Sequence, residues 1–456
     1  MNLKITGGRV YDPAQGLDGA ERDLLIQGDR IVSSLEKTDR VIEAAGRVVV
    51  PGGIDLRGQV ATYGLNFLGL WNHFPSLQEL GRLYAAAGYT HVHEPFLTMY
   101  TAGYVHRQLA AIPLVDTSAS LVLNLRDMDN RLKSLEQMEE VGQTIKSLQE
   151  KTRALDLRLL EPFVRYRQAF YSHRTLETAR TLEGLTRLAL DCNLRFTLEA
   201  NPEVLELPLP EPRAFHLAAL GRAVTDDRLL EPALARLEEG GTADLGFELP
   251  GASAAMAGKP VKVDLGGHYP LDLNPGGQEP LAALRLALAY QGPNLAFSLG
   301  GPVRNPVAEF PRYFSWLWDR KARPPAGQGQ LPPREFSLWD WVWATRTLPA
   351  KILGLADRGH LQNGARADMA IFDLPPDAPR RRWINGLSRC HTLIKAGVVV
   401  VENFELVAPE TPKATYYRRT GAEGGPLLAE ICQYRSLRPE NLWVPDELGG
   451  PWVGLD

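Results

Sequence analysis

Cysteine is scarce in these 456 residues: Cys192, Cys390 and Cys432 lie far apart and form no CxxC. Their spacing excludes a cysteine-built zinc or iron–sulfur site within the chain and fits a reducing, cytoplasmic compartment. Neither sign of charge is in excess, with 50 Lys+Arg against 54 Asp+Glu and a net charge of −4. The balance removes the electrostatic drive of a nucleic-acid binder. No apolar run approaches ~20 residues, so nothing is expected to span a membrane. Residues 1–8, Met-Asn-Leu-Lys-Ile-Thr-Gly-Gly, lack the apolar stretch of a signal peptide.

What is present is ordinary globular composition, 44% hydrophobic and 23% charged, enough for a sizeable core. The 42 glycines and 34 prolines predict many loops and tight turns. At ~150 residues per domain the length suggests about three folding units, or one large barrel with additions. Short strands at 3–6, 8–11, 23–27, 30–32 and 47–50 form a β-module that ends at Pro51-Gly52-Gly53. Eight further strands are expected, at 54–56, 90–94, 121–125, 157–160, 194–198, 244–247, 261–265 and 295–298. Helical patterns at 134–150, 175–190, 279–290 and 307–321 fall between several of them, and a long helix is expected at 337–354. Ser134-x-x-Gln137 reads as a capping box for the first of these. No helix is evident between 244–247 and 261–265. Strands return at 368–373, 391–395 and 397–402, and a turn-rich tail follows. The alternation implies an α/β fold, a (β/α)8 TIM-like barrel. The expected organisation is a composite β-sandwich from 1–52 and 355–408, the barrel at 53–354, and a C-terminal tail at 409–456 packing on the barrel or a partner.

Specific segments carry a family resemblance. Gly7-Gly8-Arg9-Val10-Tyr11-Asp12-Pro13 resembles the opening strand of the amidohydrolase superfamily. Val50-Pro51-Gly52-Gly53-Ile54-Asp55 resembles its approach to barrel strand one, and Gly364-Ala365-Arg366-Ala367-Asp368-Met369-Ala370-Ile371-Phe372 its closing sandwich strand. The segments beginning at Tyr313, Leu353 and Tyr434 resemble, more narrowly, the A subunit of formylmethanofuran dehydrogenase and of the bacterial formyltransferase/hydrolase complex. The resemblance implies a cytoplasmic hetero-oligomer of one-carbon metabolism, whose partners are the other subunits of such a complex. It also implies hydrolysis or formation of an N-formyl amide on a methanofuran-like carrier, at a site with two metal ions, typically zinc. Such ions polarise an amide carbonyl and lower the pKa of water.

The family's ligands are a His-x-His after strand one, a carbamylated lysine on strand four, histidines on strands five and six, and an aspartate on strand eight. Here Asp55 is followed by Leu56-Arg57-Gly58-Gln59, and a guanidinium has no lone pair for a metal. Arg158 stands at the lysine position, and Arg195 or Thr197 where strand five needs a histidine. No histidine lies between His216 and His268, so a strand six at 244–247 lacks its ligand. No Asp or Glu lies between Glu279 and Glu309, which deprives strand eight of its carboxylate. The expectation is a degenerate barrel, with no metal and no cofactor, that serves assembly or positions a partner's substrate.

The alternative is an active N-formyl amide hydrolase with a rebuilt site. His91 and His93 form the chain's one HxH, and on a strand both imidazoles point the same way. With Glu94, His268 and Asp55 as base they are the catalytic candidates. Arg57, Gln59, Arg158, Arg195 and Thr197 are the substrate-binding candidates. The arginines either form an anion pocket or pair with Asp55, Glu161 and Glu199.

Overall fold

The computed structural model describes the chain except residues 63–74, 161–177, 210, 225–226, 247–261, 265–269, 273–278, 299–306, 308–309, 324–330 and 376. Eight short strands form one continuous parallel ladder. In order they are Gly53–Asp55, Tyr89–Leu97, Asp116–Val122, Asp156–Leu159, Phe196–Glu199, Phe215–Ala218, Thr242–Asp244 and Leu295–Ala296, here strands one to eight. The helices between them carry an apolar stripe inward: Leu80 and Tyr84 on Leu77–Ala86, and Val141, Ile145 and Leu148 on Met138–Lys151. The fold is the expected barrel, and its parallel strands direct all carboxyl ends to one mouth.

Two strand assignments need correction. Strand six is Phe215–Ala218, a buried four-residue segment just after a proline-rich loop, and strand seven is Thr242–Asp244. Within the expected strand at 261–265, the described residues Lys262–Asp264 pair antiparallel with Pro270–Asp272, outside the barrel ladder. The helix expected from 134 is also divided. Ser134 ends a short helix, Leu135 and Gln137 adopt positive φ of 58° and 55°, and the long helix begins at Met138.

A second, nine-stranded sheet draws on both ends of the chain. Asn2–Asp12 buries Leu3, Ile5 and Val10, and Val48–Pro51 pairs antiparallel with Met369–Phe372 to join the two halves. A buried charge cluster ties this sheet to the barrel floor. Asp116, the first residue of strand three, meets Lys395 Nζ at 2.8 Å and Arg358 Nη1 at 2.6 Å. The same Arg358 nitrogen reaches Asp368 at 3.0 Å.

The C-terminal segment enters the barrel wall itself. Thr415–Arg418 pairs parallel with Thr117 and Ser118 of strand three, and Trp452–Leu455 pairs beside it. The three cysteines are free, and Cys390 and Cys432 are buried. Among the described residues no helix is long and apolar enough to cross a membrane.

Candidate functional site

Strand one ends at Asp55, and the chain then turns sharply. Gly58 lies so close to strand two that a Cβ there would stand 2.3 Å from Val92 Cγ1, and its N–H bonds to His93 O at 2.9 Å. Only glycine fits that approach. Gln59 follows with φ of 46° and is buried. The turn delivers Arg57 to the mouth, 1% exposed. There its Nη2 donates to Glu199 Oε1 at 2.5 Å, while Arg158 Nη1 donates to Glu199 Oε2 at 2.9 Å. Both guanidiniums also face the Phe96 ring, at 5.8 and 5.5 Å.

Glu199 closes strand five and keeps 19% of its side chain exposed. Burial alone pushes its carboxyl up, but the charges of Arg57 and Arg158 outweigh burial and hold it below its ordinary value. Of the two readings for these arginines, pairing describes Arg57 and Arg158, with Glu199 as the shared anion. Arg195 departs from the expectation. It precedes the first residue of strand five, so it lies at the opposite end of the barrel and is exposed. Thr197 is buried and donates to Asp156 at 2.6 Å.

The catalytic candidates are held in closed arrangements. Asp55 accepts from the Tyr84 hydroxyl at 2.7 Å and from its own turn at Arg57 N, 3.0 Å. His91 and His93 do share one side of strand two, where both reach Ser118 Oγ at 2.8 Å, and His93 Nε2 meets Ser120 Oγ at 2.6 Å. Burial drives His91 down to about 3, with Arg358 adding to the effect, and drives His93 well below the ordinary histidine value. Glu94 accepts from Ala61 N at 2.7 Å, Thr62 Oγ1 at 2.7 Å and Phe96 N at 3.1 Å. Burial nevertheless pushes its carboxyl up to about 7. None of Asp55, His91, His93 and Glu94 is more than 1% exposed. His268 lies outside the described residues.

The corrected strand six reveals a group that the sequence pattern does not mark. His216 sits on it, so that strand does carry a histidine. Its Nδ1 lies 3.1 Å from Thr242 Oγ1, and its Nε2 lies 3.2 Å from Asp244 Oδ2 at the end of strand seven. Ser298, two residues beyond strand eight, donates to the other oxygen of Asp244. Burial alone pushes Asp244 up, but its bonds from His216 and Ser298 and the charge of Arg57 hold it at about 2. The one available signal is the four-residue Phe-His-Leu-Ala pattern itself.

These donors do not fit a two-metal centre. Two guanidiniums crowd the mouth, and the carboxylate between them is consumed by both. The order Ser298–Asp244–His216 also places the carboxylate, not the imidazole, next to the hydroxyl, which is not a nucleophile–base pair. Among the described residues no three His, Cys, Asp or Glu side chains come together as a metal site.

A sequence model of the amidohydrolase family matches residues 302–401. The A subunit of the formyltransferase/hydrolase complex Fhc of Methylorubrum extorquens is 27% identical over 513 aligned positions, covering 90% of each chain. Protein FwdA of Methanocaldococcus jannaschii is 23% identical, covering 99% of this chain and 98% of its own length. The chain has the amidohydrolase fold and is similar to the Fhc A subunit over 90% of its length. Among solved structures, the FhcABCD complex of Methylorubrum extorquens with methylofuran contains a chain of the same amidohydrolase fold. That chain matches with a TM-score of 0.82 at 23% identity, over 100% of this chain and 99% of its own. The amidohydrolase-fold barrel and its sandwich thus correspond along their full length.

Proposed function

We propose that this chain is the A-type subunit of a formyltransferase/hydrolase complex, with a structural or substrate-positioning role and no dinuclear hydrolytic centre. The observation that carries this reading is the Arg57–Glu199–Arg158 cluster, which fills the mouth where an amidohydrolase presents its ligands. Nearly full-length similarity to the A subunit of Fhc supports the assembly role. On this reading the partners are the other subunits of the complex, which act on a methanofuran-like carrier in the cytoplasm. The domain organisation is the composite sandwich of 1–52 and 355–408, the barrel of 53–354, and the tail from 409. The barrel mouth presents two buried cations and one partly exposed carboxylate. That surface suits recognition of a polar carrier better than activation of water.

The test is co-expression of the tagged chain with the B, C and D subunits from the same source. The reading expects a stable assembly that co-elutes, and no formate release above background from an N-formyl carrier by the isolated chain. Formate release by the isolated chain, abolished in Glu199→Gln, would overturn the reading in favour of a rebuilt hydrolase.

A further inference from the structure

At the floor of the barrel, opposite the mouth, a cavity of about 330 Å³ opens beside the first residues of strands four and five. Four cations line it. Lys146 comes from the helix Met138–Lys151, Arg195 directly precedes strand five, and Arg418 and Arg419 lie on and just after the inserted strand Thr415–Arg418. The lining carboxylates are Asp156 and Asp456. Asp156 Oδ2 is already taken by the hydroxyls of Thr197 at 2.6 Å and Ser120 at 3.1 Å. Asp456 stands at the rim with its side chain 91% exposed, its Oδ1 3.9 Å from Arg419 Nη1. Its main-chain oxygen accepts from Arg418 Nη1 at 2.6 Å. Lys146 and Arg195 have no ion-pair partner among the described residues.

A space-filling role does not account for this arrangement, because space-filling cations are normally paired. Here four positive side chains face two negative ones, so the lining side chains carry a net positive charge. Repulsion from Arg195 adds to burial in lowering the Arg418 pKa, and together they outweigh the attraction of Asp156 and Asp456. The cavity lies within the usual size range of small-molecule sites, and guanidinium forks match carboxylate and phosphate oxygens in pairs. Leu155, Leu157 and Leu353 supply an apolar wall.

We propose that this floor cavity binds a small multivalent oxyanion, one that bears at least two carboxylate or phosphate groups. The inference is independent of the proposed role of the mouth. A bound anion bridges Lys146 and Arg195 of the barrel to Arg418 and Arg419 of the C-terminal segment. It therefore fastens the inserted strand in place.

The experiment is calorimetric titration of the full chain in phosphate-free buffer at low ionic strength, with pyrophosphate and citrate as separate probes. The expected result is saturable binding of at least one probe with a Kd below about 1 mM. Whichever probe binds more tightly tells a phosphate ligand from a carboxylate one. Arg195→Glu and Lys146→Glu are each expected to weaken binding at least roughly tenfold, with circular dichroism unchanged. Arg187→Glu, on the exposed face of another helix, is expected to leave binding unchanged. Absence of saturable binding by both probes up to about 10 mM would overturn the proposal. So would binding that persists undiminished in both charge reversals.

Discussion

Arg57 and Glu199 stand 142 positions apart in the chain and meet across the barrel mouth at 2.5 Å. The pair exists because the turn after strand one and the end of strand five converge on the same end of a parallel barrel. Arg158 binds the other carboxylate oxygen, so one anion serves two buried cations. Removing that anion deprives two buried cations of the carboxylate they share. Glu199→Gln is therefore expected to lower the unfolding free energy by about 3 kcal/mol, read from urea denaturation. Replacing all three residues together, Arg57→Met, Arg158→Met and Glu199→Leu, is expected to recover part of the loss, since these three positions then bury no charge of their own. A single-variant loss below about 0.5 kcal/mol would show a solvated pair instead.

Four buried groups set the pH dependence. His91, and His106 of the helix Ala102–Ala111 with its Nε2 2.8 Å from Thr152 O, are held down to about 3 and about 4 by burial, and His93 is driven well below its ordinary value. All three charge in the unfolded chain near 6.5 but stay neutral when folded, so each lowers stability as pH falls below 6.5. Glu94 acts with the opposite sign. Its folded carboxyl, pushed up to about 7, keeps a proton that the unfolded chain loses near 4.5. The difference across that window is about two protons in favour of the unfolded chain. Stability is expected to rise from pH 5 to 6.5 in urea titrations, and more steeply in Glu94→Gln. A flat or falling profile would contradict the neutral buried histidines.

Asp116 is the anion that joins barrel and sandwich. It is fully buried between Arg358 and Lys395. Asp116→Ala leaves both cations short of a partner and is expected to cost at least about 3 kcal/mol. Asp116→Asn, which keeps a hydrogen-bonding oxygen but no charge, is expected to fall between wild type and Ala. Equal stability of all three would mean that the cluster does not bear on the join.

Much of this architecture is legible in the sequence. The strand before Pro51-Gly52-Gly53, the HxH strand and strands four and five alternate clearly or run apolar. The apolar pattern marks strand three at 121–125, whereas it spans Asp116–Val122. Its first residues, Asp116, Thr117, Ser118 and Ser120, are polar groups turned into hydrogen-bond partners that only the folded barrel supplies. Strand six is hidden because four residues give too short a period to register, and the alternation at 261–265 is the stronger signal. The absence of His216 from the expected site follows from that one shift. Arg195 is misplaced for a different reason. In a parallel barrel the residue before a strand faces the floor, so its position one residue ahead of Phe196 already excludes the mouth. The sharing of Glu199 by two arginines has no local signature, because neither partner is near it in sequence.

An arginine–carboxylate cluster, Arg57–Glu199–Arg158, occupies the mouth where amidohydrolases hold their metals. The decisive measurement is elemental analysis of the protein, purified without added metal or chelator. Less than about a tenth of an equivalent of zinc, iron, manganese and nickel together is the expected result, since bound catalytic metals are near-stoichiometric. One or two equivalents per chain, retained through dialysis, would contradict it.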